Sequence, residues 1–180
     1  LAEAMRDARP QPRAILWQPQ LASGYQAVEL HQDPAPFMIG ERANANGSKK
    51  FREMLLADEF QGCLKVGLDQ EAAGAAHALD LCVAYAGRDE KTDMETLLRL
   101  FAESVKLPVV IDSTTPDVIE RALKLYPGRA VINSINLEDG GANLDRICAL
   151  AKKYGAACIA LTINEQGMAM SVEEKVATAK

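Results

Sequence analysis

The chain has 180 residues, 48% of them hydrophobic and 25% charged, and its 20 Lys and Arg against 25 Asp and Glu leave a formal net charge of −5. That composition fits a soluble domain with one sizeable core, and the acidic balance disfavours a nucleic-acid backbone or an anionic membrane as main partner. No run reaches the roughly 18 to 20 apolar residues of a membrane span, and LAEAMRDARPQPR lacks a basic-then-apolar leader pattern, so the chain reads as cytoplasmic. Cys63, Cys82, Cys148 and Cys158 form no C-x-x-C pair and sit among apolar neighbours, as buried thiols do. The chain begins at Leu1 and stops at Lys180 inside a helical pattern, which reads as a piece of a longer protein.

Five of the eight prolines fall within residues 1–36, where no apolar period is sustained. The short LAEAMRDA reads as the end of a helix, and the rest of this stretch as a linker or arm that Trp17, Leu21 and Tyr25 could anchor. The folded domain is expected from 37 to 180. Within it, 37–40, 78–83, 108–111, 130–133 and 158–163 are short Val-, Ile- or Leu-rich runs, as for strands covered on both faces. Helices are expected between them. Ser48 precedes KKFREMLL, Thr92 with Glu95 has capping-box spacing, and Thr115-Pro116 offers a cap and a first-turn proline. Asn143 precedes LDRICALAKKYG, Ser171 with Glu174 repeats the capping-box spacing, and Gly74 and Gly155 fall where helices should stop.

Alternating βα units admit an open doubly wound sheet or a (β/α)8 TIM barrel. No G-x-G-x-x-G follows the first strand, and in every unit the polar residues lie at or just past the strand's C-terminal end, where barrel active sites assemble. The expected fold is therefore the first five β/α units of such a barrel. Its outermost strands, near Phe37 and at CIALTI, would be open edges that favour association with a second copy.

The first unit ends in GERANANG, with Glu41, Asn44 and Asn46 among glycines; alone, the asparagines could simply make turns. The second carries Asp80 inside ALDLCV and the third Asp112 in PVVIDST with Ser113 beside it. The fourth has Asn133 and Ser134 in AVINSIN, and the fifth Asn164 in CIALTINE. Any one of these could be a helix cap or a satisfied core polar group. Five consecutive strands delivering Asp, Asn or Glu to one rim is the stronger signal. The ring lacks the basic, glycine-rich nest that grips phosphate, and His31 and His77 are not at ligand spacing, so no metal site is expected. Carboxylates and amides suit a neutral planar heterocycle instead, since Asp accepts paired N–H bonds and Asn offers a donor and an acceptor. A pterin edge has that pattern.

GERANANGSKKFREML, HALDLCVAYAGRD, LPVVIDST, RAVINSINLEDG and ALTINEQGMA together resemble the folate-binding (pterin-binding) domain of cobalamin-dependent methionine synthases and, more distantly, corrinoid-protein methyltransferases and dihydropteroate synthases. LAEAMRDA and the proline-rich arm resemble the end of the homocysteine-binding domain and its linker, which implies an internal fragment. The resemblance implies 5-methyltetrahydrofolate as methyl donor and cobalamin as acceptor on another module. It also implies homocysteine- and cobalamin-binding modules as partners, and zinc only in the homocysteine domain, outside this chain. It assigns substrate binding to Glu41, Asn44, Asp112 and Asn133, a pocket-floor role to Asp80, and rim positions to Asn46, Ser113, Ser134 and Asn164. The catalytic Asn near N5 of the pterin is expected beyond residue 180, so this chain alone is expected to be inactive. Ala84 and Asn164 stand where many relatives carry Asp. A dihydropteroate synthase-like enzyme and a non-catalytic folate-binding module are the alternatives.

Overall fold

In a computed structural model that describes residues 18–180, alternation along each strand sorts the chain into two apolar faces. The LAEAMRDA helix and the Trp17 anchor lie outside the described residues. After a hairpin of β1 (Gln20–Ala22) and β2 (Ala27–Glu29) come β3 (Ile39–Asn44), α1 (Lys49–Leu56), α2 (Phe60–Ala72) and β4 (Ala78–Cys82). Next follow α3 (Glu90–Ser104), β5 (Val109–Asp112), α4 (Pro116–Leu125), β6 (Val131–Leu137), α5 (Ala142–Tyr154), β7 (Ala157–Asn164), β8 (Gly167–Met168) and α6 (Val172–Thr178). Strands β3 to β7 pair in parallel in chain order, and β8 turns back antiparallel on β7. This is the expected α/β architecture, a parallel sheet curled into about half of a barrel.

Leu79, Leu81, Val109, Ile111 and Ile132 face outward into the main core, against Phe51, Leu97, Phe101 and Ile119 of the helices. The other set, Ala78, Val110 and Val131, with Ile39, Ala157 and Ile159 beside them, lines the inner floor. Leu21 of β1 belongs to that floor and is 0% exposed. The hairpin is held there by an Ala22–Arg129 bridge, by Ser23 Oγ donating to the Lys106 carbonyl at 2.6 Å, and by the Tyr25 hydroxyl donating to the Glu103 carbonyl. Reading residues 1–36 as an arm gave no hint of this hairpin, because three-residue strands are too short to show a period. The anchoring expected of Leu21 and Tyr25 is present, and its target is the base of the sheet.

Several caps fall where the sequence puts them. Ser48 accepts from Phe51 N, Pro116 opens α4, Ser171 and Glu174 form a reciprocal box, and Gly155 closes α5 at φ 70°. Two do not. The α3 cap is Asp89, which accepts from the amides of Lys91 and Thr92, so Thr92 lies inside the helix and Glu95 is free to hold Arg121 at 2.6 Å. A carboxylate three residues upstream outcompeted the threonine. In α5 the Asp139 carboxylate accepts from Gly141 N and Asn143 N, and the helix starts at Ala142, ahead of the expected Asn143 cap. The expected open edge at CIALTI is covered by β8 only at Ile163 and Asn164, leaving Leu161 exposed.

Leu21→Ala removes the hairpin's contribution to the floor. It should lower the unfolding free energy by about 3 kcal/mol, measured by urea denaturation. A loss below about 1 kcal/mol would mean that the hairpin rests on the base without stabilising it.

Candidate functional site

The upper inner face is built by strand register. Asn44 lies opposite Cys82 and Asp112 opposite Asn133, while Leu81 and Ile111, one step earlier, align β4 with β5. Asn44, Cys82, Asp112 and Asn133 therefore form one row across four strands. Asp80 lies a layer deeper, opposite Val110, in a row that is otherwise apolar.

Asn44 reaches this face through a bulge. Ile39 pairs with Ala78 on the inner floor, and Asn44 lies five positions further on, an odd step that regular alternation would turn outward. The register shift between Gly40 and Ala43 inserts one residue and restores the inward orientation. The Asn44 Nδ2 then donates to Asp80 Oδ2 at 2.8 Å and to Asp112 Oδ2 at 3.0 Å. Its Oδ1 accepts from the amides of Asn46 and Gly47, both at 2.9 Å, which fixes the plane of the side-chain amide. From the other side Asn133 Nδ2 donates to Asp80 Oδ1 at 3.4 Å.

Burial dominates the electrostatics. Asp80, 3% exposed, has its pKa raised to about 6, chiefly by desolvation and also by the negative charge of Asp112, against the opposing hydrogen bonds from Asn44 and Asn133. Half-buried Asp112 is also raised by desolvation, while hydrogen bonds from Cys82 and Asn44 favour its charged form. Two carboxylates held close by one amide make a site that is acceptor-rich and ready to take N–H donors.

The remaining predicted residues divide. Asn46 joins the group, its Nδ2 donating to Cys82 Sγ at 3.6 Å and to the Ala84 carbonyl at 3.3 Å. Glu41 sits in the bulge with its side chain exposed at the β3 edge. Ser113 is buried on the helix side, donating to Glu90 Oε1 at 2.5 Å and accepting from Thr115 N, so it organises the start of α4 away from the inner face. Ser134 lines a side cleft of about 270 Å³ with Thr114, Asn136 and Asp139. Asn164 closes the β7–β8 turn, accepting from Gln166 N at 2.9 Å. The structure thus gathers Asn44, Asp80, Asp112, Asn133 and Asn46, and places Ser113, Ser134 and Asn164 in other surroundings.

Cys82 is the residue that sequence reading passed over. The signal was available, since period-2 alternation from Asp80 puts position 82 on the same face. Arg88, in the loop after β4, also went unnoticed. It pairs with Asp93 at 2.7 Å and Asp58 at 2.8 Å, tying that loop to α3 and to the α1–α2 turn. Among the described residues no group of His, Cys, Asp and Glu is arranged to hold a metal ion, and no helix is long and apolar enough to cross a membrane. His77 instead accepts from Met38 N at 2.8 Å beside the ring of Phe37.

Comparison with known proteins gives a consistent outcome. A family model described as pterin binding enzyme matches residues 40–180. The chain is 42% identical to a methionine synthase of Mycobacterium tuberculosis over its whole length, and 45% identical to that of Mycobacterium leprae over 93% of it. It spans about 15% of the length of these relatives. The fold is similar to dihydropteroate synthase from Thermus thermophilus, with a TM-score of 0.52, 25% identity and coverage of 79% of this chain and 47% of the other. It is also similar to the Yersinia pestis dihydropteroate synthase, with a TM-score of 0.56, 13% identity and coverage of 81% and 51%.

Asp80 takes up a proton on folding between its unfolded pKa near 4 and its folded value of about 6, so its contribution to stability should fall as pH rises through that window and level off above it. The Asp80 contribution should change by about 3 kcal/mol, with Asp112 acting in the same direction. Asp80→Asn should flatten this profile in urea titrations run from pH 4 to 7. A difference in stability between wild type and Asp80→Asn that fails to fall as pH rises across the window would contradict the assignment.

Proposed function

The chain belongs to the pterin-binding enzyme family, and we propose that its inner polar row holds the pterin of 5-methyltetrahydrofolate within a methionine synthase-type methyltransferase. The observation that carries this reading is the Asn44 amide bridging Asp80 and Asp112, with Asn133 closing the group, in a chain 42% identical along its whole length to a methionine synthase. Asp112, with lone pairs beyond those that face Asn44, accepts N–H bonds from the amino-pyrimidinone edge. Asn133 stands beside it as the amide partner. Asp80 shapes the floor and holds both asparagines in place, and Asn46 and exposed Glu41 stand where the first loop meets the ligand.

Methyl transfer from the neutral tertiary amine N5 is slow unless positive charge at that nitrogen is stabilised. The Asn expected to do this comes from later strands, so the part proposed for this chain is to bind and orient one edge of the pterin. Cob(I)alamin on a separate module is the proposed methyl acceptor and homocysteine the final one, in the cytoplasm, with the homocysteine- and cobalamin-binding modules as partners. The preceding stretch to residue 36 is proposed as the connection to the first of these.

Calorimetric titration tests this. 5-Methyltetrahydrofolate should bind the chain, and Asp112→Asn should weaken binding by about tenfold to a hundredfold, the worth of a charged hydrogen bond. A hydroxymethylpterin diphosphate with p-aminobenzoate serves as control. Binding of that pair with no folate binding would favour the dihydropteroate synthase reading.

A further inference from the structure

The extra residue in β3 needs support that the neighbouring strand does not give. Gly40 pairs with Leu79 and Ala43 with Leu81, so two residues, Glu41 and Arg42, stand opposite the single Asp80. A bulge of this kind interrupts the ladder, and a backbone N–H that loses its place there must find an acceptor elsewhere. The Arg42 N–H finds it on α2, donating to Gln70 Oε1 at 3.1 Å. The same side chain fills the space beside Gly40, where an added Cβ would overlap Gln70 Nε2 and Cδ. A backbone N–H requires the amide oxygen to face Arg42, which turns the Gln70 NH2 to the glycine. One half-buried side chain thus grips β3 on both sides of Glu41, by a hydrogen bond after it and by close packing before it. Being neutral, it does so without adding a charge near Asp80.

We propose that Gln70 is a positioning residue that clamps the β3 bulge from α2 and thereby turns Asn44 inward, onto the carboxylates of Asp80 and Asp112. Its purpose rests on the folate reading, whereas the clamp itself does not. Without the glutamine oxygen the Arg42 N–H has no acceptor in the bulged form, and the strand gains by straightening or by moving the bulge along its length. A straightened β3 turns position 44 to the helix side, and the two acids lose the donor that they share. Gln70 touches neither acid nor ligand in this scheme, and acts only through the backbone of β3.

The test is NMR on the whole chain, reading the exchange of the Arg42 amide and the side-chain NH2 signals of Asn44. In wild type the Arg42 N–H should be protected from exchange, and the Asn44 NH2 signals should follow the titration of Asp80, with Asp80→Asn as the assignment control. An Arg42 amide that exchanges freely in wild type overturns the proposal. Gln70→Leu fills a similar space with no acceptor. It should expose the Arg42 N–H to exchange, uncouple the Asn44 signals from Asp80, and raise the Asp80 pKa by about one unit as the Asn44 donor withdraws. The other groups acting on Asp80, namely Asn133 as donor and Asp112 and Glu41 as charges, are the same in both proteins. Gln70→Glu keeps an oxygen for Arg42 and should restore both the protection and the Asn44 signals. Asn44 signals that still follow Asp80 in Gln70→Leu overturn the proposal, as does a loss that Gln70→Glu fails to reverse. Gln70→Ser, too short to reach Arg42, serves the same comparison should the leucine variant not fold. Affinity for 5-methyltetrahydrofolate is a separate readout, expected to drop about tenfold in Gln70→Leu and to recover in Gln70→Glu. Wild-type protein that binds no folate while its Asn44 signals respond to Gln70 sinks the folate reading and leaves the clamp standing.

Discussion

A carboxylate set in an apolar layer must be met by donors or it will not stay charged. Asp80 is that carboxylate, and the Asn44 amide is its principal partner. Much of the upper half of the structure follows from satisfying it. Asn44 must arrive from β3 facing inward, its carbonyl must be pinned by the Asn46 and Gly47 amides so that the NH2 points at the acids, and Asn133 must close from β6. The loop after β3, the bulge within it and the ends of three neighbouring strands are thus coupled through one buried charge. Polar networks of this kind rigidify a site when complete and weaken it when a member is lost.

Below that layer the requirements are those of ordinary packing. Ala78, Val110 and Val131 make a floor that is closed from beneath by Leu21, while their neighbours in sequence face the helices. The division of labour runs along each strand: apolar residues at the start, polar ones at the end. It is what places chemistry at the C-terminal rim of a parallel sheet. The hairpin carrying Leu21 seals the opposite end, so floor and rim are fixed by different segments of the chain.

Much of this was legible in the sequence. The apolar runs marked β4 and β5 within a residue or so, because strands covered on both faces need continuous apolar stretches. Asp80 and Asp112 stood out since each interrupts such a run. Boundaries were less readable where polar residues belong to strands: β3 runs on through Glu41 and Arg42 to Asn44, and β6 through Ser134 and Asn136 to Leu137. The β1–β2 hairpin was invisible because its strands are three residues long and it is held by tertiary contacts of Leu21, Ala22, Ser23 and Tyr25 that no local pattern announces. Ser113 was grouped with the rim by adjacency to Asp112, yet adjacency in a strand means opposite faces. The same rule, applied from Asp80, would have found Cys82.

The bulge in β3 makes the site sensitive to the count of residues, apart from their identity. Gly40 and Asn44 are four apart, which in a regular strand would set them on one face, and Gly40 faces α2, where an added Cβ would strike the Gln70 side chain. Only the extra residue at 41–42 separates their directions. A change of side chain at position 41 or 42 leaves that parity untouched, whereas a one-residue gap there reverses it and turns the asparagine from the acids to the helices. The number of residues in this short segment therefore fixes which way the asparagine points, and an alignment that slides a gap into it would pair residues pointing to opposite sides of the sheet.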